Sequence, residues 1–377
     1  MSADAAARGI RDHDGDGSIG LVGADPDPPY ARPPLSKGLW QDKEEATIWR
    51  GTADLGVELQ LGRRITGIDL EGRIAIDDQN ESYGWERLLL ATGGRPRRLP
   101  SGDGYVVYYR TVADYRRVRA LAREGARFVV IGGGFIGSEV AAALSSTGAG
   151  VTMVFPDNGI GARLFPPELA EFVNGYYREK GVEVLPGELV EAIEDGVVRL
   201  GSGRTLEADG IVAGLGIEPA TELAEAAGLP VDDGIVVDDR GRVGDRPDVF
   251  AAGDVARFPA KALGKHIRVE HEDHANTHGR AVGANMAGAD APYDHLPFFY
   301  SDLFELGYEA VGEVDSRLES VATWAEPNRK GVVSYIDDQR RPRGFLLWDV
   351  WGKVDDARTL IEAGEPIAEG QLEALLD

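Results

Sequence analysis

Three glycines at a fixed spacing carry the strongest chemical signal in the sequence. Gly132, Gly134 and Gly137 form a G-x-G-x-x-G pattern within the stretch RFVVIGGGFIGSEVAAALSSTGAGVTMVF. In such a pattern the first glycine makes a tight turn, the second admits a pyrophosphate, and the third lets helix and strand pack closely. A helix N-terminus behind the turn then holds the anion. The surrounding residues predict the strand–turn–helix–strand context that this site requires, over Arg127–Ile131, Phe135–Leu144 and Val151–Phe155.

The end of the second strand bears on which dinucleotide would bind. An acid is expected there for the adenine ribose, but that place holds Phe155, and Asp157 follows two residues later with Arg163 beyond it. A carboxylate favours the ribose diol of NADH and repels a 2′-phosphate. The sequence therefore favours NADH, and the displaced acid and the arginine keep NADPH as the alternative.

The first 25 residues resemble the middle of a second unit of this kind. They predict a helix over Ala3–Ile10, a strand over Ser18–Val22 and an acid, Asp25, after the strand. The first strand and the glycine turn that should precede the helix are not in the sequence, and Met1–Ala3 fits the last three positions of a G-x-G-x-x-A turn. We therefore expect the chain as given to bind a second dinucleotide poorly and to be marginally stable in its first domain. A start assigned at an internal methionine would explain this, and a short protein is the alternative.

Composition limits the classes of function. The 377 residues contain no cysteine, which excludes disulfides and thiol relays, so any redox chemistry must come from a bound cofactor. A net charge of −24 disfavours nucleic acid and anionic membranes as partners. No leader and no long apolar run is evident, so we expect a cytoplasmic protein with no membrane span.

The remaining elements extend this α/β organisation. Buried strands that end in glycine are predicted at Arg87–Gly94, Asp209–Gly216 and Asp248–Asp254, and amphipathic helices over 112–124 and 271–287. From about Pro297 the sequence changes to aromatic-rich strands and ends in two short helices. An aromatic group around Trp348 and Trp351 is predicted to be core.

Several motifs, in this order along the chain, resemble one family. PPYARPPLSKGLW, LLLATGG, IGGGFIGSE, FAAGD and RVEHEDHA are similar to the FAD- and NAD(P)-dependent pyridine nucleotide oxidoreductases. Ferredoxin reductases form one branch of that family, and apoptosis-inducing factor and its prokaryotic relatives form another. VFPDNG, RVEHEDHA, FFYSDL and GYEAVGEVDS are closer to the second branch.

The resemblance implies a fold and a domain plan. The fold would be α/β, with two doubly wound, Rossmann-like domains for FAD and NAD(P) and a C-terminal α+β domain. The FAD domain would comprise residues 1–111 and 236–296, with the NAD(P) domain, 112–235, inserted in it. The C-terminal domain would cover 297–377.

The resemblance also implies which residues hold the cofactors. The residues expected to contact FAD are Asp25, Arg32, Lys37, Ile65, Thr92, Gly93, Arg110, Asp254 and His271. Those expected to contact NADH are Gly132, Gly133, Gly134, Phe135, Ile136, Gly137, Asp157, Arg163, Gly216 and Glu270, with Tyr300 and Glu309 approaching from the C-terminal domain. Tyr300 stands where the family often has tryptophan, and its alternative role is core packing.

Two residues are the catalytic candidates. The resemblance implies that Lys37 lies near the flavin N5 and pairs with Glu139, where a cation would favour the electron-rich reduced ring. The alternative is a surface lysine and a glutamate that only complements its helix. His271, His274 and His278 share one helix face, but HEDH is one residue short of the zinc pattern H-E-x-x-H, and we expect no metal.

The implied activity is a two-step electron transfer. NADH would pass hydride to FAD, and the reduced flavin would supply a ferredoxin-type protein or a quinone. The alternative is a redox sensor similar to apoptosis-inducing factor, with a long-lived charge-transfer complex and altered dimerisation; a homodimer is left open. An acidic ferredoxin would need a basic patch, for which the arginines of GGRPRR and RRPRG are candidates.

Overall fold

The computed structural model describes residues 1–376. Within this range the chain divides into two compact units. Unit 1 contains residues 1–31, 44–95 and 218–297, and unit 2 contains 32–43, 96–217 and 298 onwards. The four-part division predicted from the resemblance has other boundaries and remains a prediction.

The regular elements follow in chain order. The helices are α1 Ser2–Arg11, α2 Val112–Leu121, α3 Phe135–Ser146, α4 Pro167–Glu179, α5 Glu222–Ala226, α6 Glu272–Met286, α7 Val354–Ala363 and α8 Glu369–Leu376. The first half of the strands are β1 Ile19–Gly23, β2 Val57–Leu61, β3 Ile65–Asp69, β4 Ile74–Asp77, β5 Ser82–Gly84, β6 Leu88–Leu90, β7 Gly94–Pro96, β8 Val106–Tyr108, β9 Arg127–Ile131, β10 Gly150–Phe155, β11 Glu183–Pro186, β12 Val190–Glu194 and β13 Val197–Leu200. The second half are β14 Thr205–Glu207, β15 Gly210–Ala213, β16 Ile217–Pro219, β17 Ile235–Val236, β18 Arg242–Val243, β19 Arg246–Ala251, β20 Ala256–Ala260, β21 Lys265–Arg268, β22 Phe298–Leu303, β23 Leu306–Gly312, β24 Glu319–Glu326, β25 Lys330–Ile336 and β26 Pro342–Trp348.

A parallel sheet organises the first part of unit 2. Its strand order is β11-β10-β9-β15-β8, and β9 pairs in parallel with both β10 and β15. Phe128, Val129, Val130 and Ile131 of β9 are all buried, as expected for a central parallel strand covered on both faces. The predicted strand–turn–helix–strand is confirmed here.

An antiparallel sheet forms the C-terminal part of unit 2, in the order β22-β23-β26-β25-β24, with α7 on β23 and β26 and α8 on β24 and β25. Trp348 is fully buried and stacks on Tyr308 with ring centroids 5.8 Å apart. Phe165 meets both of these rings edge-on. Trp348 is core as predicted, whereas the same prediction is wrong for Trp351, which is 48% exposed.

Unit 1 is organised around a close helix pair. A Cβ on Gly283 of α6 would lie 2.0 Å from the Ala6 carbonyl oxygen of α1, so only glycine permits this approach. Parallel pairs β1–β2 and β6–β19 belong to two separate sheets of this unit. The predicted helix and strand of the first 25 residues are confirmed as α1 and β1, and the strand predicted at Arg87–Gly94 is shorter, spanning Leu88–Leu90.

None of the helices within residues 1–376 combines the length and the apolar character needed to cross a membrane.

Candidate functional site

Close packing explains two of the three glycines of the nucleotide turn. Gly132 has φ +112°, and a Cβ on it would lie 2.3 Å from the Gly214 carbonyl oxygen. A Cβ on Gly137 would lie 2.0 Å from the Gly132 carbonyl oxygen. Any side chain at either position would therefore push apart the turn, β15 and α3.

Gly134 differs from these two because its surroundings are open. It is the N-cap residue of α3, no side chain caps that helix, and no atom lies within 4 Å of a Cβ placed on it. The space beside Gly134 and the uncapped N–H groups of α3 fit a pyrophosphate, which needs close backbone approach and helix-end donors. Gly133 lies against the buried Phe155 ring, which forms the floor of the turn.

The residues after the turn have different environments. Phe135 packs edge-on against Phe299, with ring centroids 5.1 Å apart, and Ile136 is partly exposed. Gly216 adopts φ +81°, with open space at its Cβ position.

Asp157 and Arg163 lie together at the end of β10. The Arg163 Nε is 3.6 Å from an Asp157 carboxylate oxygen, and both side chains are accessible, at 84% and 41% exposure. The backbone carbonyl of Arg163 accepts a hydrogen bond from the Ser316 N–H. A carboxylate and an exposed guanidinium are thus both present at the position where the sequence left the choice between NADH and NADPH open.

Lys37 and Glu139 form a buried ion pair in unit 2. The Lys37 Nζ lies 2.5 Å from Glu139 Oε1, and the two side chains are 14% and 5% exposed. Two hydroxyl groups also donate to this carboxylate: Ser36 Oγ at 2.5 Å and Ser301 Oγ at 2.7 Å. The two catalytic candidates are therefore brought together, although 102 residues separate them in the sequence.

Strand β22 completes the surroundings of Lys37. The Lys37 Nζ lies 5.0 Å from the centroid of the Tyr300 ring, within the range of a cation–π interaction. Asp302 shares a strand face with Tyr300 because side chains alternate along a strand. Burial raises the pKa of Asp302, the Lys37 charge acts in the opposite direction, and the Glu139 charge adds to the rise. In the next strand, the Glu309 carboxylate accepts the Gly352 N–H at 2.9 Å.

Sequence reasoning missed three members of this cluster: Ser36, Ser301 and Asp302. Ser36 adjoins Lys37 in PPLSK, Ser301 adjoins Tyr300 in FFYSD, and Asp302 lies two residues after Tyr300. Strand alternation alone would have placed Asp302 beside Tyr300, whereas the convergence of both serines on Glu139 needed tertiary structure.

The residues predicted to hold FAD fall into both units. Arg32, Lys37 and Arg110 belong to unit 2, where the Arg110 N–H donates to the Asp114 carboxylate at 3.1 Å. The others belong to unit 1, together with Glu270, which was predicted to contact NADH: Asp25, Ile65, Thr92, Gly93, Asp254 and His271.

Within unit 1, Asp25 follows β1 and accepts hydrogen bonds from the Tyr30 hydroxyl at 3.0 Å and the Asp27 N–H at 3.1 Å. Ile65 begins β3. Thr92 donates through Oγ1 to the Ala220 carbonyl at 2.7 Å, and Gly93 adopts φ +65°.

The Gly253–Asp254 peptide lies at the start of α1. Gly253 has φ +76°, and a Cβ on it would lie 1.9 Å from the Ser2 Oγ, so only glycine allows Asp254 to be placed there. No side chain caps α1. A carboxylate next to an uncapped helix N-terminus suits a ligand with hydroxyl groups and a diphosphate, so these residues fit the FAD that the resemblance implies.

The three histidines do not form a metal site. His271 is the N-cap residue of α6, whereas His274 and His278 are fully buried. The His274 ring stacks on Phe258, and the His278 ring is tilted against it. Burial lowers the pKa of both buried histidines, that of His278 to about 3. Among residues 1–376 no group of three or more ligating side chains could hold a metal ion.

Glu270, which was predicted to contact NADH, forms an ion pair: the Arg268 Nη1 lies 2.6 Å from its carboxylate.

A glycine turn of this geometry, on a parallel sheet and before an uncapped helix, defines a dinucleotide-binding protein. A family model described as pyridine nucleotide-disulphide oxidoreductase matches residues 3–279, and one described as the C-terminal part of mitochondrion-associated apoptosis-inducing factor matches 282–330. The chain therefore belongs to the pyridine nucleotide-disulphide oxidoreductase family, and its activity is that of an FAD-dependent NAD(P)H oxidoreductase. Because it contains no cysteine, it has no thiol pair for disulfide reduction.

Known proteins similar to the chain come from both predicted branches. Apoptosis-inducing factor 1 of Dictyostelium discoideum is 33% identical over 416 residues, covering 98% of this chain and 78% of that protein. The ferredoxin–NAD(+) reductase component of the anthranilate 1,2-dioxygenase system of Burkholderia cepacia is 37% identical over 319 residues, covering 81% and 78%. The structure is similar to putidaredoxin reductase in its covalent complex with putidaredoxin, with a TM-score of 0.92, 30% identity, and coverage of 100% and 93%. The predicted fold class is confirmed.

Proposed function

We propose that this protein oxidises NADH and passes the electrons to a ferredoxin-type iron–sulfur protein. The buried Lys37–Glu139 pair is the observation that carries the proposal. Glu139 lies five residues beyond Gly134 on the same helix, about 7.5 Å along its axis. The proposed pyrophosphate contact and the proposed redox centre thus belong to one rigid element.

FAD, when bound, supplies the chemistry: it accepts hydride and can release electrons one at a time. The protein's own contribution is electrostatic. Lys37 provides a fixed positive charge, and Glu139, Ser36 and Ser301 hold it in one position. A preorganised cation stabilises developing negative charge without reorganising at the moment of reaction.

The Lys37→Met variant tests this role. We expect slower reduction of the FAD-loaded protein by NADH, or a lower flavin reduction potential, because the charge that favours the reduced ring is gone. Lys43→Met is the matched control, since Lys43 is an exposed lysine in the same segment. Equal rates and potentials in both variants would remove Lys37 from the mechanism.

The carrier is proposed from the relatives. The anthranilate dioxygenase component is a ferredoxin–NAD(+) reductase, and the solved neighbour is complexed with putidaredoxin. A quinone is the alternative acceptor. A cytoplasmic location, where NADH is available, is part of the proposal.

A redox sensor is the second candidate. The apoptosis-inducing factor relative, which aligns over 98% of the chain, favours it. Stopped-flow mixing of the NADH-reduced protein with putidaredoxin separates the two functions. Rapid reoxidation supports the reductase; a stable long-wavelength absorbance with a change in dimerisation, measured by sedimentation, supports the sensor.

A further inference from the structure

The chain segment that follows β10 in the nucleotide site is held by the C-terminal part of unit 2. We call this segment, residues 156–166, the β10–α4 loop. Three consecutive backbone carbonyls of the loop accept hydrogen bonds from two residues of that part. The three bonds are Ser316 Oγ–H to Ala162 at 2.7 Å, Ser316 N–H to Arg163 at 3.0 Å, and Tyr335 O–H to Leu164 at 2.5 Å. Ser316 lies in the connection between β23 and β24, and Tyr335 lies in β25.

The rest of the β10–α4 loop is anchored as well. The fully buried Asn174 of α4 accepts the Ile160 N–H through Oδ1 at 3.0 Å and donates through Nδ2 to the Asn158 carbonyl at 3.0 Å. The buried Phe165 ring lies against Tyr308 and Trp348. The beginning of the loop is therefore fixed by α4, and its end is fixed by the antiparallel sheet.

The same loop contacts the glycine turn. The Gly161 N–H donates to the Gly133 carbonyl at 2.8 Å. Gly161 has φ +69°, and a Cβ on it would lie 2.3 Å from the Phe165 ring, so only glycine allows this approach. A trans peptide group is planar, with its carbonyl and its N–H pointing in opposite directions. The bond from Gly161 therefore sets the direction of the Gly134 N–H, at the N-terminus of α3, where we place the pyrophosphate.

The two hydroxyl groups are suited to hold the loop. Tyr335 is fully buried, and burial raises its pKa, so its hydroxyl stays protonated and remains a donor. Ser316 is half-buried and donates through both its side chain and its backbone. A buried carbonyl that loses its donor is left unsatisfied, which favours a shift of the loop.

We propose that Ser316 and Tyr335 are positioning residues for NADH, because they hold the β10–α4 loop so that Gly161 fixes the Gly133–Gly134 peptide. The inference rests on the proposed function and deepens it, since it names residues of the C-terminal part on which coenzyme binding depends. Neither residue acts by touching the coenzyme. A site that binds only while its loop is held has an apparent affinity reduced by the fraction of molecules in which the loop is held.

The test removes the two hydroxyl groups from the full chain. The variants are Ser316→Ala, Tyr335→Phe and the double variant, and Ser316→Thr keeps the hydroxyl. Ser320→Ala is the matched serine control, because Ser320 is an exposed residue of β24. Tyr105→Phe is the matched tyrosine control, because it removes an exposed hydroxyl that donates to Asp195 elsewhere in unit 2.

Anaerobic stopped-flow reduction of each FAD-loaded protein at increasing NADH concentration gives the Kd for NADH and the limiting rate of flavin reduction. We expect each single variant to raise the Kd about threefold and the double variant about tenfold or more, the range that one and two hydrogen bonds provide. The limiting rate should change by less than about twofold, because Lys37 and Glu139 are untouched. Both controls and Ser316→Thr should also stay within about twofold of the parent in Kd.

The outcomes separate the inference from the proposed function. If NADH does not reduce the unmodified FAD-loaded protein, the proposed function fails and the inference fails with it. If NADH reduces it and the double variant keeps the parent's Kd, or if a control or Ser316→Thr raises the Kd as much as the alanine variant, only the positioning role is wrong.

Urea unfolding of the same proteins distinguishes positioning from a purely structural role. Lower stability with unchanged NADH affinity would overturn the inference, as would a lower limiting rate at an unchanged Kd. If Tyr335→Phe does not fold, the comparison of Ser316→Ala with Ser316→Thr decides: a higher Kd in the alanine variant alone supports the inference, and equal values overturn it.

Discussion

Removing the positive charge of Lys37 should destabilise unit 2 by an amount that depends on Glu139. The Glu139 carboxylate is 5% exposed and has three donors, one of which is the Lys37 ammonium. Lys37→Met leaves a buried carboxylate with only the two serine hydroxyls. Breaking a buried ion pair from one side costs about 3–5 kcal/mol, and the 14% exposure of Lys37 places the expected cost near 3 kcal/mol.

The partner substitution should cost less. Glu139→Gln keeps the shape of the side chain and one acceptor oxygen, the Ser36 hydroxyl can rotate to accept from the new amide, and Lys37 retains some access to water. We expect a loss of about 1–2 kcal/mol. In the double variant neither charge is left uncompensated, so its total cost should be about 2 kcal/mol, and the coupling between the two positions should be about 2–3 kcal/mol.

Urea unfolding of the four proteins measures this cycle, provided that the m-values agree. A loss of about 3 kcal/mol is a large share of the roughly 5–15 kcal/mol that stabilises a typical domain, so it is readily resolved. Lys43→Met, which changes an exposed lysine of the same segment, should cost less than about 0.5 kcal/mol. A Lys37→Met cost below 1 kcal/mol, or additive single costs, would refute the reasoning.

Three further predictions follow from single residues. Gly134→Ala should change the free energy of unfolding by less than about 1 kcal/mol, since nothing lies near its Cβ position, yet weaken NADH binding about tenfold or more, whereas Gly137→Ala should unfold the turn. Titration calorimetry measures the NADH affinity of both variants, and urea unfolding measures their stability. Unaltered NADH affinity in Gly134→Ala would contradict this prediction. Asp157→Ala should lower the ratio of kcat/KM for NADH to kcat/KM for NADPH, because a carboxylate repels a 2′-phosphate. Steady-state kinetics with both donors measures this ratio, and an unchanged ratio would show that Asp157 does not determine the choice of donor. His278→Asn should flatten the acid dependence of stability: burial lowers the pKa of His278 to about 3, below the 6.5 of a free histidine, so its contribution is complete above pH 6.5 and is lost as the pH falls from 6.5 towards 3. Between pH 6.5 and 3, the free energy of unfolding should fall more steeply with decreasing pH in the parent protein than in the variant. Identical slopes would count against a buried, neutral His278.

Local pattern was sufficient to predict much of the fold. The strand Arg127–Ile131 has the bounds predicted for it, because a continuous apolar run before a glycine turn leaves few alternatives. The stretch Arg87–Gly94 was predicted as a buried strand that ends in a glycine turn, and the chain does turn at Gly93, which has a positive φ. The strand itself is short, because only Leu88–Leu90 pairs with β19. The length of a strand depends on how far the neighbouring strand pairs with it, and the sequence pattern of one segment does not reveal its neighbour.

The candidate site was predicted in part. The glycine turn was readable because its spacing is local in the sequence: close packing requires Gly132 and Gly137, and Gly134 leaves space beside the end of α3. The pairing of Lys37 with Glu139 came from the resemblance, and neither pattern nor spacing reveals a contact across 102 residues. The serines that hold Glu139 were missed for the same reason. Trp351 was predicted as core from its aromatic neighbours, but it lies after the end of β26 and is 48% exposed.

Anaerobic stopped-flow measurement of the FAD-loaded protein with NADH follows the proposed transfer of electrons from NADH through the flavin to a carrier. We expect NADH to bleach the flavin absorbance and subsequent mixing with oxidised putidaredoxin to restore it quickly. A protein that binds FAD but is bleached by neither NADH nor NADPH would not be an NAD(P)H oxidoreductase.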